Sequence, residues 1–486
     1  MTARRAAPIV DHALQPIRKS AMFSTRALLP AACLILPHAA LAQVTADEIW
    51  AAWQDGGPGV TTTAKVDRDG SDLSLADLSV EIADDDGGRT VLAIDRVEMT
   101  DRSDGTVAIR VPGSATISRD DMPDVAVILD LETTEVTVSR ADGTLSYDAL
   151  SPTLPLRVEG PELPAPIEAL VNGAETTLEL APDALTVSSR SEGVGVTGLF
   201  PGDSGTVNFQ LVTGPSEGTT RAETVAGLFA SGGESGAGAF EAEQSTQDIL
   251  VRLTGGLGGG AEAVELAIAE TSIATRSAPA RQGTEGTLGG VELSAALAPG
   301  APVQVLGTLD RLEWSGTIPG VAAEDEQTEL GLSLSVDALA PSETAWETFD
   351  PSGFLARTPL NLTAEISGTG QLVHPGLPVP LAYELSELTL ETLSLSALGA
   401  SITGGGSVTA PLDPPARSGQ LSFIGTGLLE LIGDLGQTGL LPPGQDVGAR
   451  MGLMFLTEPE PDGEGLRSDV TFGPDGAISV NGTRLR

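Results

Sequence analysis

Cysteine is almost missing from this sequence. Cys33 is the single one, and it lies inside an apolar run over residues 27–36. A chain that has lost that run can form no disulfide, no thiolate nucleophile and no cysteine-ligated metal site. Lipidation at Cys33 would need a small-residue box ending at that cysteine and a polar stretch after it, whereas Leu34, Ile35 and Leu36 follow. Histidine is nearly as scarce. Beyond His12 and His38 there is only His374, in Val373-His374-Pro375-Gly376. A residue before Pro-Gly reads as part of a turn. A metal site built from several histidines is therefore excluded, and a Ser-His-Asp triad would have to use His374. No nucleophile-elbow serine is expected. Lysine is reduced to Lys19 and Lys65. Lys65 follows Thr61-Thr62-Thr63 without a glycine-rich phosphate loop, so nucleotide binding of the P-loop type is excluded.

Aromatic residues make up 3% of the chain, too few for the stacking platforms of carbohydrate or single-strand nucleic-acid binders. Positive charge is also short: 26 Lys and Arg stand against 67 Asp and Glu, a formal charge of −41. Arg4, Arg5, Arg18, Lys19, Arg26 and Asp11 all lie in the first 42 residues, so their removal takes the charge to −45. Such a field repels phosphate backbones and anionic headgroups, which argues against nucleic acid as a partner. Solubility is the plain meaning of the charge; recruitment of cations or of a basic partner is the sharper one.

The start of the chain reads as a leader. Arg26 precedes the apolar run and Ala40-Leu41-Ala42 follows it, the order of a signal peptide with cleavage between Ala42 and Gln43. The run is shorter than the roughly 20 residues needed to span a bilayer, which disfavours the rival reading of a retained anchor. The polar stretch before Met22 is unlike a leader, so Met22 is the expected physiological start. The expected organisation is an upstream extension and signal peptide (1–42), an N-terminal helix with tryptophans (43–58), a β region (59–213), Gly- and Ser-rich loops with a short helix and strands (214–290), and a second β region ending in a hairpin (291–486).

Thr45-Ala46-Asp47-Glu48 has the spacing of a capping box, and Ile49, Trp50 and Trp53 then share a helical face. Core packing is the expected role of both tryptophans, and Gly56-Gly57 the expected stop. From Gly59 the period changes to two. Leu78, Val80 and Ile82 alternate with polar residues, as do Val107, Ile109 and Val111, then Val125, Val127, Leu129 and Leu131. Leu330, Leu332, Leu334 and Val336 repeat the pattern most cleanly. Alternation of this kind marks antiparallel strands with one apolar and one polar face. Asp86-Gly87, Asp104-Gly105, Asp142-Gly143, Asn172-Gly173, Asp475-Gly476 and Asn481-Gly482 read as the turns between them. Short helices are expected over 223–230, 342–349 and 427–435, the last ended by Gly436 and Pro442-Pro443. Loops are expected over 214–246 and 276–290. The predicted fold class is all-β or β-dominated: long twisted antiparallel sheets, curled into a half-barrel or stacked as a sandwich, with a few short helices.

Two acidic runs resemble the start of calcium loops. Asp67-Arg68-Asp69-Gly70-Ser71-Asp72 lacks the sixth-position glycine and the final Glu, and Asp84-Asp85-Asp86-Gly87 reads better as a hairpin turn. Glycosidase chemistry needs only two carboxylates, a requirement that dozens of acidic residues here satisfy without discriminating. The order of features is suggestive: a leader, the helix Ile49-Trp50-Ala51-Ala52-Trp53, a long β region, and a closing Ser468-Asp469-Val470-Thr471-Phe472 followed by Asp475-Gly476-Ala477-Ile478-Ser479-Val480-Asn481-Gly482. In this order the chain resembles a family of secreted Gram-negative proteins that carries a domain-of-unknown-function label. The resemblance implies a cell-envelope setting and a kinship in texture with large β-groove proteins there; it supplies no functional residue. The expectation is a non-enzymatic periplasmic protein, without metal or cofactor, that binds a lipid or other apolar ligand or scaffolds envelope assembly with an envelope protein. The mature chain is expected to lack a transmembrane helix. A secreted carboxylate-based hydrolase and a surface adhesion protein are the alternatives. Whether the apolar faces stay open or close into a dry sandwich is left to the structure.

Overall fold

The computed structural model describes residues 43–55, 60–83, 88–120, 122–161, 163–181, 184–202, 204–223, 239–257, 261–278, 281–296, 301–319, 327–372, 383–410, 417–442, 444–461, 463 and 465–485. The protein is all-β with a few short helices: α1 (Ala46–Asp55), α2 (Glu343–Phe349), α3 (Leu428–Thr438) and α4 (Gln445–Leu456) among the described residues. The chain divides into two units. The first holds the described residues up to 223, with 244–265 and 296–301; the second holds 239–243, 266–295 and 302 onward. No described helix is long and apolar enough to cross a membrane.

In the first unit the strands are all antiparallel, some paired in sequence and others, such as Val107–Arg110 with Glu135–Ala141, out of sequence, around a buried apolar core. The alternation read from sequence becomes rows of directly paired side chains. Leu78 pairs with Ile94, Ile94 with Ala115, and Ala115 with Leu129. Beside them run Val80, Leu92, Ile117 and Val127, and then Val107, Val138, Tyr147, Leu178 and Val187. All of these side chains are buried. Helix α1 supplies the cover. Its capping box forms as expected: the Thr45 amide donates to Glu48 at 3.1 Å, and the Glu48 amide donates to the Thr45 hydroxyl at 3.3 Å. A third donor is met from the sheet, where the Ala46 amide reaches Asp101 Oδ1 at 2.7 Å. Ile49, Trp50 and Trp53 are thereby pressed into the cluster formed by the strands. The expected stop at Gly56-Gly57 lies outside the described residues.

The turn chemistry holds at most described positions. Asp142 and Gly143 both adopt positive φ (51° and 84°) between strands Glu135–Ala141 and Thr144–Glu159, and Asn481-Gly482 does the same (48° and 75°) in the C-terminal hairpin. Asn172-Gly173 is a correction. It lies inside the strand Ile167–Ala181, where Gly173 takes a positive φ (56°) without a shift of register against Thr144–Glu159, and the Asn172 carbonyl accepts from the Glu192 amide. Asp86-Gly87 and the 223–230 helix lie outside the described residues, except for Glu223.

The second unit is an antiparallel meander, from Arg281–Ala296 through Ser418–Thr426, and on to Leu466–Phe472. Residues 276–290, expected as a loop, instead belong to the strands Ala263–Ala278 and Arg281–Ala296 on either side of residues 279–280. Gly286 and Gly289 suit the strand because neighbouring side chains lie over them: a Cβ at Gly286 would collide with the Trp314 ring, and one at Gly289 with Glu270. Helix α2 forms where expected, with Ser342 as its N-cap and Trp346 buried. Helix α3 runs past Gly436 and ends at Gly439 (φ 77°). Helix α4, after Pro442-Pro443, was not expected at all.

Candidate binding face

The apolar alternation of the second unit also assembles into rows, whose large side chains stay part-exposed; Leu428 of α3 lies over one position, Gly425. One row reads Leu288, Leu312, Val336, Leu362, Leu395, Ile402, Gly425 and Leu466, one residue from each of eight strands. The next reads Gly286, Trp314, Leu334, Ala364, Leu393, Gly404 and Phe423. The third reads Gly316, Leu332, Ile366, Leu390, Gly406, Leu421 and Val470. Directly paired residues of an antiparallel sheet point to the same side, so the three rows make one face. Its large side chains are half-buried or exposed; Leu332 is 50% and Leu334 38% exposed. A Cβ at Gly404 would collide with the Phe423 ring, as one at Gly286 would with Trp314. The aromatic rings therefore lie flat over glycines of the adjacent strand, and the face is aliphatic and smooth.

The opposite side of the same strands is polar. Ser315 pairs with Ser333, Ser333 with Glu365, and Ser422 with Asp469. Ser315 and Ser333 share a hydrogen bond of 2.8 Å. Asp469 accepts from the Ser422 hydroxyl at 2.6 Å and from Arg467 Nε at 2.9 Å. The Ser422 bond, assisted by Arg467, lowers the pKa of this carboxyl. Asn481 ties the polar side to the helices: its side-chain oxygen accepts from the Asp469 amide at 2.7 Å, and its amide nitrogen donates to the Leu456 carbonyl at 3.1 Å, at the end of α4. One face is thus dressed for water and one is not.

The residues singled out for chemistry do not converge. Gln43, at the expected cleavage site, lies against Gly105, and the Val44 amide donates to the Gly105 carbonyl at 3.2 Å; Ala42 lies outside the described residues. So do His374 and Asp84-Asp85-Asp86. Lys65 is a strand residue bonded to Asp77 at 2.6 Å, and that hydrogen bond raises its pKa. Asp69 and Asp72 pair across a hairpin turned at Gly70, not around an ion. No cluster of three potential metal ligands occurs among the described residues. The nucleophile-elbow spacing does occur once, at Gly214-Pro215-Ser216-Glu217-Gly218, against expectation. Yet Ser216 opens a strand, Ser216–Ala222, instead of a strand-to-helix turn, and shares a 2.7 Å hydrogen bond with Ser191.

A cleft of about 540 Å³ opens beside α1, lined by Val44, Glu48, Ile49, Ala52, Arg140 and Leu145. Glu48 is engaged in the capping box and lies 3.8 Å from Arg140, which neutralises it. The cleft belongs to the packing of α1. Sequence reasoning found the strands of the binding face but could not tell it from the buried face of the first unit. Comparison with protein-family models, with curated proteins and with solved structures gives no match to this chain.

Proposed function

We propose that the protein is a non-enzymatic envelope protein, exported to the periplasm, whose second unit binds the acyl chains of a lipid on its open apolar face. The observation that carries this reading is the face itself: aliphatic rows crossing eight strands, with Leu332 and Leu334 exposed. A contiguous apolar surface larger than a few hundred Å² is rare on a soluble monomer and marks an interaction site. Leu, Val and Ile beside Gly and Ala suit flexible hydrocarbon, which needs no hydrogen-bond partner and no stacking ring. Export is supported by the order Arg26, apolar run, Ala40-Leu41-Ala42, and by Val44, which is already packed in the first unit. The resemblance to secreted Gram-negative proteins points the same way.

The test is titration of the protein with a fluorescent fatty acid. Wild type should bind it. Leu332→Glu combined with Leu334→Glu should abolish binding while leaving the melting temperature close to that of wild type. Absence of binding by the wild type, or binding unchanged in the double variant, would overturn the reading. Export is tested by N-terminal sequencing, which should return Gln43; an intact Met22 in the membrane fraction would refute it.

A further inference from the structure

The helical hairpin α3–α4 turns an apolar stripe outward. Helix α4 has two charged residues, half-buried Asp446 and exposed Arg450, and both approach glycines of α3. A Cβ at Gly436 would sit 3.1 Å from Asp446 Cβ, and one at Gly433 would overlap the Arg450 guanidinium. The apolar residues point away. Val447, Met451 and Phe455 recur every four positions along one stripe, with Met454 at its edge, and they are 56%, 68%, 66% and 65% exposed. Gly448 and Gly452 fill the rest of that side, which carries no charge. In water a helix pair buries such a stripe.

We propose that α4 lays this stripe into the surface of a neutral, zwitterionic lipid layer, and that the hairpin thereby sets the apolar sheet face against its lipid source. The second half of the statement rests on the acyl-chain reading above. Four features point to lipid. First, the stripe is uncharged and the chain carries −41 overall, so it suits a surface without negative charge and is repelled by an anionic one. Second, α4 has twelve residues, too few to cross a bilayer and enough to lie along its boundary. Third, the hairpin is continuous with the binding face. Gly425 belongs to one of the apolar rows, and its Cβ position is occupied by Leu428, the first residue of α3. Fourth, the stripe is too small for a protein interface. Four large side chains at these exposures offer on the order of 450 Å², about half of the ~800 Å² per partner that a stable complex buries. Methionine and phenylalanine, soft and unpaired, accommodate a disordered hydrocarbon surface.

The experiment is flotation of the protein, as purified from its native cells, with vesicles of phosphatidylcholine alone and of phosphatidylcholine with phosphatidylglycerol. Wild type should float with the neutral vesicles and at least several-fold less with the anionic ones. Met451→Glu combined with Phe455→Glu should reduce flotation at least tenfold. Val447→Gln combined with Met454→Gln is the uncharged control and should weaken it in the same direction. Both variants should keep the wild-type melting temperature and still bind fluorescent fatty acid in solution, because the sheet face is untouched. Three results would overturn the proposal: no flotation of the wild type, flotation of both variants equal to wild type, or a dimer by light scattering that the double Glu variant returns to monomer. Loss of fatty-acid binding in the wild type with flotation intact would remove the acyl-chain reading and leave the docking of α4 standing.

Discussion

At the scale of single residues, the same sequence pattern leads to opposite outcomes. Val127 and Leu332 both sit mid-strand in a period-two row of apolar residues, yet Val127 is fully buried and Leu332 is 50% exposed. A carboxylate at Val127 would be cut off from water without a partner, at a cost of several kcal/mol, enough to unfold a marginally stable domain. A carboxylate at Leu332 reaches solvent, and its cost should stay within about 1 kcal/mol. Thermal melts of Val127→Glu and Leu332→Glu should therefore differ sharply, and equal destabilisation would mean that the second face is covered after all. Asp469 makes a second prediction, with its sign fixed by linkage. Its carboxyl is held below the ordinary 3.8 by the Ser422 hydroxyl and Arg467. The stability it contributes is present above that ordinary value and is lost as pH falls through the lowered one. Ser422→Ala should weaken stability at pH 7 and flatten the acid limb below about pH 4. An acid limb identical to wild type would show that the Ser422 bond is not what lowers the carboxyl.

Elements were unequally legible in the sequence, for physical reasons. Helix α1 was readable because its signals are local: Thr45 and Glu48 satisfy each other's amides whatever the rest of the chain does. Thr45→Ala should cost about 1 kcal/mol through the lost cap and, since α1 lids the core, lower the melting temperature of the first unit. A shift confined to helix signal in circular dichroism, without loss of tertiary stability, would contradict that role. Strands were readable wherever Leu or Val alternates with Ser or Thr. They were misread where glycines interrupt the period, as at Gly286 and Gly289, because the reason for those glycines is a side chain on a neighbouring strand, the Trp314 ring at Gly286 and Glu270 at Gly289. Asn172-Gly173 failed similarly, since a positive φ within a strand asks for the same glycine as a tight turn does. Helix α4 stayed hidden behind Pro442-Pro443, which read as an ending, although Val447, Met451 and Phe455 carry a helical period. The openness of the second face was not legible at all. Periodicity says which side of a strand is apolar; only a second layer, present over one unit as α1, decides whether that side is dry.

At the scale of the whole molecule, two terms act on both units while a third separates them. Both units are built of antiparallel pairs, many of them sequential, so many ladder contacts close short loops and form early, while the first unit adds longer-range pairings such as Val107–Arg110 with Glu135–Ala141. Each unit also shares in a charge of −41, whose self-repulsion opposes the compact state. Raising sodium chloride from about 10 mM to about 150 mM shortens the Debye length from roughly 30 Å to roughly 8 Å and should raise every melting transition. A lower midpoint in salt would mean that the surface ion pairs, such as Lys65–Asp77, outweigh the repulsion. The separating term is burial. The first unit buries its rows in one core cluster that α1 joins, whereas the rows of the second stay part-exposed. Calorimetry should accordingly resolve two transitions, the lower one belonging to the second unit. A ligand that binds the native face alone stabilises it by RT ln(1 + [L]/Kd), about 2.7 kcal/mol at a hundred times Kd. Saturating fatty acid should therefore move the lower transition upward by several degrees and leave the upper one in place. Leu332→Glu with Leu334→Glu should abolish that movement without changing the upper transition. If fatty acid shifts both transitions equally, or shifts only the upper one, the apolar ligand sits elsewhere than on the open face, and the assignment of binding to the second unit fails.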